Sequence, residues 1–401
     1  MLSFYEARAR LLARARRLAP ERIPLAAAVG RVLAEPVIAR GDLPPFSYSA
    51  MDGYALCAET LVGTPPFGLA VVGESRTGRP PPALVRGTAS RIFTGAEIPD
   101  GADAVVAQED VEARDGAIVV RSAPRLGQHV RRAGEDLARG SEALGAGKRL
   151  GPADLALLAS LDVTAVAVAR RPRVTVLPTG DELRAPGSSP RAGTIPDSLS
   201  VPLAALASAA GAETRIAPFV RDDAESTQAA ITAALHGADL LVTIGGVSVG
   251  DHDRVRPALE ASGVGLDFWK VAIKPGKPLA SGAHENGSLV LALPGNPASA
   301  LITFSLFGVP LLRALQGDRN PLPRSVFRPL SAPYRKKAGR LEFVRAALED
   351  GPDGARVRSL DNQASGALTS LAWADALALI PAEAETLDAG TSVEVIRFQD
   401  L

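Results

Sequence analysis

Lys270, Lys274 and Lys277 span eight residues in a chain of 401 that holds 6 lysines against 38 arginines. A compact ammonium on a flexible stem suits phosphate or another oxyanion as a point charge. Phe268, Trp269, Val271 and Ile273 interleave with these lysines, which favours a partly buried cation cluster over a solvated charged loop. Four further stretches place carboxylates, glycines and prolines just after short apolar runs. They are Pro178-Thr179-Gly180-Asp181-Glu182, Arg221-Asp222-Asp223, Gly245 to Asp253 with Gly246, Ser248 and Gly250 inside it, and Pro294-Gly295-Asn296-Pro297. Carboxylate oxygens are hard ligands suited to Mg²⁺, and glycine-rich backbone offers N–H groups to phosphate oxygens. Taken singly, each stretch has a plainer reading: Asp222, Asp223 or Asn296 capping a helix, and the glycines forming ordinary turns.

The elements around these stretches decide between the readings. Val174 to Leu177, Glu213 to Phe219, Leu240 to Ile244 and Leu289 to Leu293 read as strands. Ser200 to Ala210, Asp223 to Leu235, Arg254 to Ala261 and the run after Pro297 read as helices. Alternation of this kind predicts βαβ units and a mostly parallel sheet with both faces covered. Ligands of open parallel sheets lie beyond the carboxyl ends of the strands, where all four stretches fall. Convergence of carboxylates and backbone N–H groups at one sheet edge is therefore expected.

The rest of the chain divides by composition. Ser3 and Glu6 form a capping-box pattern ahead of an arginine-rich amphipathic helix, which reads as an ordinary helix rather than a transit peptide. Breaks at Gly41, Pro44 and Pro45 and again at Gly134, Gly140, Gly145 and Gly147 bound a β-rich stretch, followed by a helix over Pro152 to Leu161. Past Asn320, prolines and the alternating segments Leu341 to Leu348 and Ser392 to Phe398 indicate a small β domain. The expected architecture is multi-domain α/β plus β. Residues 41–140 form a β-rich domain, 171–320 the α/β domain and 321–401 a C-terminal β domain. Within the β-rich stretch, Asp52 in Ser49-Ala50-Met51-Asp52-Gly53-Tyr54-Ala55 and Thr94 in Thr94-Gly95-Ala96 fit ordinary turns and functional loops equally well.

Several function classes are excluded. With 44 basic and 44 acidic side chains the formal charge is zero, against a general nucleic-acid or anionic-membrane binder. Aromatic content of 4% argues against stacking platforms for single strands. Ser288 to Leu312 is uncharged but broken at Pro294 to Pro297, so it reads as a buried strand, turn and helix rather than a membrane span. A single cysteine, Cys57, precludes an internal disulfide and fits a reducing cytoplasm. The four histidines show no zinc spacing, and no Walker lysine motif, Gly-x-Ser-x-Gly elbow or Cys-x-x-Cys occurs.

Taken together, Pro44-Pro45-Phe46 with Ser49 to Ala55, Thr94-Gly95-Ala96, Thr179 to Leu183, Gly245 to Asp253, Lys274-Pro275-Gly276-Lys277-Pro278 and Pro294 to Pro297 occur in the order found in one family. The chain resembles MoeA-type molybdopterin molybdenumtransferases and the enzyme half of gephyrin, over almost its whole length. The resemblance implies a four-part subunit, in which residues 1–40 with 141–170 form an elongated N-terminal linker domain, in an elongated homodimer with the active site in a cleft between the molybdopterin-binding α/β domain and the partner subunit. It implies the reaction of adenylyl-molybdopterin with molybdate, giving molybdenum cofactor and AMP with Mg²⁺. Carried over by motif, Glu182, Asp222 and Asp253 are the acidic metal or molybdate group, and Lys270, Lys274 and Lys277 contact anionic parts of the substrate. Gly245, Gly246, Ser248, Gly250 and Asn296 line the substrate loops, and Pro294 and Pro297 shape the wall. Asp52 and Thr94 reach in from the β-rich domain across the dimer, and Arg345 and Ser365 match C-terminal positions more loosely.

Two departures stand out. Members usually carry Asp-Asn where this chain has Ser47-Tyr48, and often an Asn where it has Leu199 after Asp197-Ser198. Each bears on one polar contact, and neither touches the carboxylate and lysine set. The resemblance also implies transient contact with a molybdopterin adenylyltransferase and with molybdoenzyme apoproteins. Two other readings stay open: a molybdopterin adenylyltransferase, which normally needs only the single α/β domain, and a non-catalytic molybdopterin-binding scaffold on the same fold.

Overall fold

The computed structural model describes residues 1–246, 254–351 and 354–401. Its central sheet runs, from one edge to the other, Glu213–Ile216, Arg173–Pro178, Leu240–Ile244, Leu289–Leu293, Ala280–His284 and Val264–Trp269. The first four strands are mutually parallel and the last two antiparallel, so the sheet is mostly parallel as expected. The inner strands Arg173–Pro178, Leu240–Ile244 and Leu289–Leu293 are near-continuous apolar runs because both faces are buried, whereas the edge strand Glu213–Ile216 is largely exposed. Val174, Val176, Val242, Ile244, Leu291 and Leu293 face one core, and Leu177, Leu241 and Val290 face the other. Each fully buried Val or Leu of this kind contributes about 1.5–3 kcal/mol relative to exposure.

The uncharged run from Ser288 forms the strand Leu289–Leu293, a turn, and a helix beginning at Pro297. Pro297–Leu315 is long and apolar enough to cross a membrane, but Phe304, Phe307, Leu311 and Leu312 are fully buried in the first core. The N-terminal helix Phe4–Ala13 starts with the predicted capping box, Ser3 and Glu6 bonding reciprocally. Its buried face, Phe4, Ala7 and Leu11, packs into that same α/β core, where the Phe4 ring meets Phe307 and Phe343 edge-on. The expectation that residues 1–40 stay with 141–170 thus divides after this helix. Only the later part, Pro20–Pro24, pairs with Ala165–Ala169 in an antiparallel ladder around the Pro152–Ser160 helix.

Between the two passes of that linker lies a six-stranded sheet ordered Ala104–Ala107, Gly53–Leu56, Ala89–Ile92, Phe67–Ser75, Ala117–Val120 and Val111–Arg114. The C-terminal sheet joins Leu341–Glu349, Ala376–Ile380, Ser392–Arg397 and Val326–Pro329. It also takes up a two-residue strand of the α/β region: Ile273–Lys274 pairs in parallel with Leu341–Glu342. That pairing couples the lysine segment to the C-terminal sheet.

Candidate functional site

At the carboxyl edge of the central sheet the four loops are stitched side by side. The Gly180 amide donates to Val220 O at 3.2 Å, the Thr179 amide and hydroxyl both donate to Ile244 O at 3.1 and 2.9 Å, and the Gly245 amide donates to Leu293 O at 3.0 Å. Gly246 adopts φ +61°, and a Cβ there would fall 2.3 Å from Val255 Cγ2, so the backbone turns only where glycine permits it. Ser248, Gly250 and Asp253 lie outside the described residues.

The cations gather beside this edge. A cavity of about 310 Å³ is lined by Lys274, Pro275, Gly276, Lys277 and Pro278, by Pro294, Asn296 and Ser299, and by Arg340, Gln363, Ala364 and Ser365. The structure thus brings together five of the residues expected at the site: Lys274, Lys277, Pro294, Asn296 and Ser365. Gly276 has φ +105°, and a Cβ there would meet Thr303 Cγ2 at 2.2 Å, so the lysine loop lies tight on the Pro297–Thr303 helix. Asn296 holds the N-cap position of that helix but makes no side-chain capping bond, which leaves its amide to the cavity. Lys274 Nζ donates to Glu342 Oε1 at 3.1 Å, whereas Lys277 and Arg340 have no side-chain partner among the described residues. Pro297 does not line the cavity; it opens the helix at a position where a missing N–H costs nothing.

Two of the expected site residues lie apart from the cavity lining. Arg345, expected to touch substrate, is fully buried. Its guanidinium donates to Gln363 Oε1, Ala364 O and Asn362 O at 3.3, 3.0 and 3.1 Å. All of its directional bonding therefore goes to the 362–364 loop, which is how the loop carrying Ser365 reaches the cavity. The Ala298 amide then donates to Ser365 O at 3.0 Å, fastening the loop to the helix start. Lys270 also stands apart from the cavity lining. It follows the Val264–Trp269 strand with φ 86°, unusual for a residue with a Cβ, and its amide donates to Leu279 O at 2.9 Å.

The acidic residues stand elsewhere along the edge. Glu182 and Asp222 are exposed, and the Asp222 amide donates to Asp181 Oδ1 at 3.4 Å. Asp223, not Asp222, caps the following helix, accepting from the Ser226 amide at 2.7 Å. The backbone and hydroxyl donors of Ser226 hold the Asp223 carboxyl below its ordinary range. No group of three or more His, Cys, Asp or Glu side chains arranged to hold a metal exists among the described residues. The two carboxylates still suit Mg²⁺, which binds through one or two carboxylates and keeps its other positions for water and phosphate.

Asp52 and Thr94 come from the β-rich sheet. The Thr94 amide and hydroxyl both donate to Asp52 Oδ1, at 2.7 and 2.8 Å, and hold that carboxyl below its ordinary range. Among the described residues no hydrogen bond or ion pair links the two side chains to the central sheet of their own chain. Sequence reasoning missed Arg340, Glu342 and Ser299. Arg340 is one arginine among 38. Glu342 becomes relevant only through the pairing that sets it opposite Lys274.

Residues 2–161 match the model of the MoeA N-terminal region (domain I and II), 175–314 that of a probable molybdopterin binding domain, and 328–398 that of the MoeA C-terminal region (domain IV). Proteins named molybdopterin molybdenumtransferase from Haemophilus influenzae and Synechococcus elongatus are 37% and 40% identical to this chain. The former alignment covers 95% of this chain and 94% of the relative, the latter 94% of each. A molybdopterin biosynthesis MoeA protein from Pyrococcus horikoshii OT3 superposes with a TM-score of 0.87 at 29% identity, over 99% of this chain and 100% of that one.

Proposed function

The chain belongs to the MoeA family of molybdopterin molybdenumtransferases, and on that premise we propose that it inserts molybdate into adenylyl-molybdopterin, releasing AMP and forming molybdenum cofactor. The observation that carries this reading is the 310 Å³ cavity, where Lys274, Lys277 and Arg340 meet the hydroxyl-bearing Ser299 and Ser365. Three cations and two hydroxyls around a space of this size suit a tetrahedral oxyanion. Molybdate is seated there, while the adjoining edge loops take the pterin phosphate.

Glu182, Asp222 and Asp253 would hold Mg²⁺, which when bound neutralises charge on the phosphoanhydride linking AMP to the pterin phosphate. The lysines do the same from the other side: Lys274 and Lys277 stabilise the negative charge that builds as the anhydride opens. Asp52, kept ionised by Thr94, orients water or a substrate hydroxyl. This pair comes from the second subunit of a homodimer, a reading supported by the absence, among the described residues, of bonds from it to the central sheet of its own chain. The division into a linker, a β-rich, an α/β and a C-terminal β domain is retained, with the N-terminal helix moved to the α/β domain. The protein is cytoplasmic, receives substrate by transient contact with a molybdopterin adenylyltransferase and passes product to molybdoenzyme apoproteins.

The test is AMP release by purified protein from adenylyl-molybdopterin, with and without molybdate and Mg²⁺. Molybdate-dependent release without ATP consumption is expected. ATP consumption with plain molybdopterin, or no release at all, would contradict the proposal.

A further inference from the structure

Glu342 is a carboxylate only 5% exposed that the reaction as described does not use. Both its oxygens are engaged: Oε1 accepts from Lys274 Nζ at 3.1 Å and Oε2 from the Tyr334 hydroxyl at 3.0 Å. The contact is built into the backbone, because Lys274 stands opposite Glu342 in the short parallel ladder between the two domains. A buried carboxylate is costly unless paired and hydrogen-bonded, so Glu342 retains the ammonium of Lys274, whose side chain is itself 42% exposed. Burial, and then the neighbouring Glu342, push the Tyr334 phenol well above its ordinary range, so it remains a donor to Glu342. An ammonium has three donors, and one bond to Glu342 leaves two for a guest in the cavity.

Charge points the same way. Lys274, Lys277 and Arg340 line the cavity, and with Glu342 behind Lys274 the group carries two net positive charges, the complement of a tetrahedral dianion. We propose that Glu342, backed by Tyr334, is a positioning residue: it fixes the Lys274 ammonium at the cavity wall and matches the cavity's charge to a dianionic substrate. This rests on the cavity being the molybdate seat. It gives the C-terminal domain a part in the chemistry, since Glu342 and Tyr334 both belong to it.

The test uses full-length protein with ¹⁵N-labelled lysine, read by NMR of the side-chain ammonium groups and by steady-state kinetics. With 6 lysines in the chain, the Lys274 signal is assigned by its loss in Lys274→Arg. In wild type, Lys274 Nζ is expected to give a slowly exchanging correlation, and Glu342→Gln is expected to lose it. Glu342→Gln should lower kcat roughly 10- to 100-fold through misplacement of the ammonium. Because it leaves the cavity more positive, KM for molybdate should not rise and the melting temperature should stay near wild type. Tyr334→Phe should shift the Lys274 signal and lower kcat roughly 2- to 5-fold, the loss of one hydrogen bond. A retained Lys274 signal with wild-type kcat in Glu342→Gln would overturn the proposal, as would a loss of activity that only tracks a fall in melting temperature. Should Glu342→Gln fail to fold, an unchanged Lys274 signal and kcat in Tyr334→Phe would overturn it. Absence of molybdate-dependent AMP release in wild type would defeat the functional reading instead, while the NMR still reports whether Glu342 holds Lys274.

Discussion

Lys274 reaches the site with its ammonium already bonded to a buried carboxylate, in a cavity enclosed from three sides by the 274–278 loop, the Pro297–Thr303 helix and the C-terminal loop around Ser365. Glu182 and Asp222, on neighbouring loops of the same sheet edge, are exposed. The difference lies in what supports each set. The cationic side is organised by inter-domain strand pairing and a buried arginine, so the Lys274 ammonium is placed before any ligand arrives. The acidic side holds carboxylates in high dielectric, where they attract a cation weakly until a phosphate shares it. On this account one half of the site is preorganised, and the other is assembled by metal and substrate together.

The contrast breaks most sharply at Lys274. Lys274→Ala should lower AMP release by roughly 10²- to 10³-fold, the usual scale for removing one preorganised electrostatic contact, and should also lower the melting temperature, because the buried Glu342 carboxylate loses its ion-pair partner. Arg345→Ala acts on the support rather than the ligand. Losing its bonds to the 362–364 loop should cost about 2–3 kcal/mol in urea unfolding and raise KM for molybdate, and Arg345→Lys should not rescue it because the planar fork is lost.

On the acidic side, Asp222 and Asp223 separate metal binding from folding. Asp222→Asn should raise the Mg²⁺ concentration needed for half-maximal activity. Asp223→Asn, at the helix cap, should leave that requirement alone and lower the melting temperature slightly. The smallest effect concerns Asp52, whose carboxyl is depressed by the Thr94 amide and hydroxyl. A lowered folded pKa means that the contact is complete above the ordinary Asp range and is lost only as pH falls through the lowered value. Thr94→Val should therefore move the Asp52 titration, followed by carboxyl NMR, up toward the ordinary range without changing its charge at neutral pH.

The inner parallel strands were legible because strands buried on both faces are written as unbroken apolar runs, and the edge loops follow from them; the antiparallel strands Ala280–His284 and Val264–Trp269 were not read. The capping box at Ser3 and Glu6 was legible for the same local reason. The destination of the helix it starts was not. Phe4, Ala7 and Leu11 announce a buried face but not which core receives it. The lysine segment stood out by composition, yet its separation into a cavity pair and an outlying Lys270 depends on a turn with positive φ. Arg345 looked like a ligand contact because nothing in a strand sequence says that a guanidinium will be fully buried and bonded to a loop some twenty residues onward. Arg340 and Glu342 enter through pairing between segments about 70 residues apart, which no local pattern encodes.

The most direct test of this account is to locate molybdate. Anomalous diffraction at the molybdenum edge, from crystals soaked in molybdate, is expected to show a peak bounded by Lys274, Lys277 and Arg340. A peak at the Glu182 and Asp222 edge instead, or none in the cavity at saturating molybdate, would contradict it.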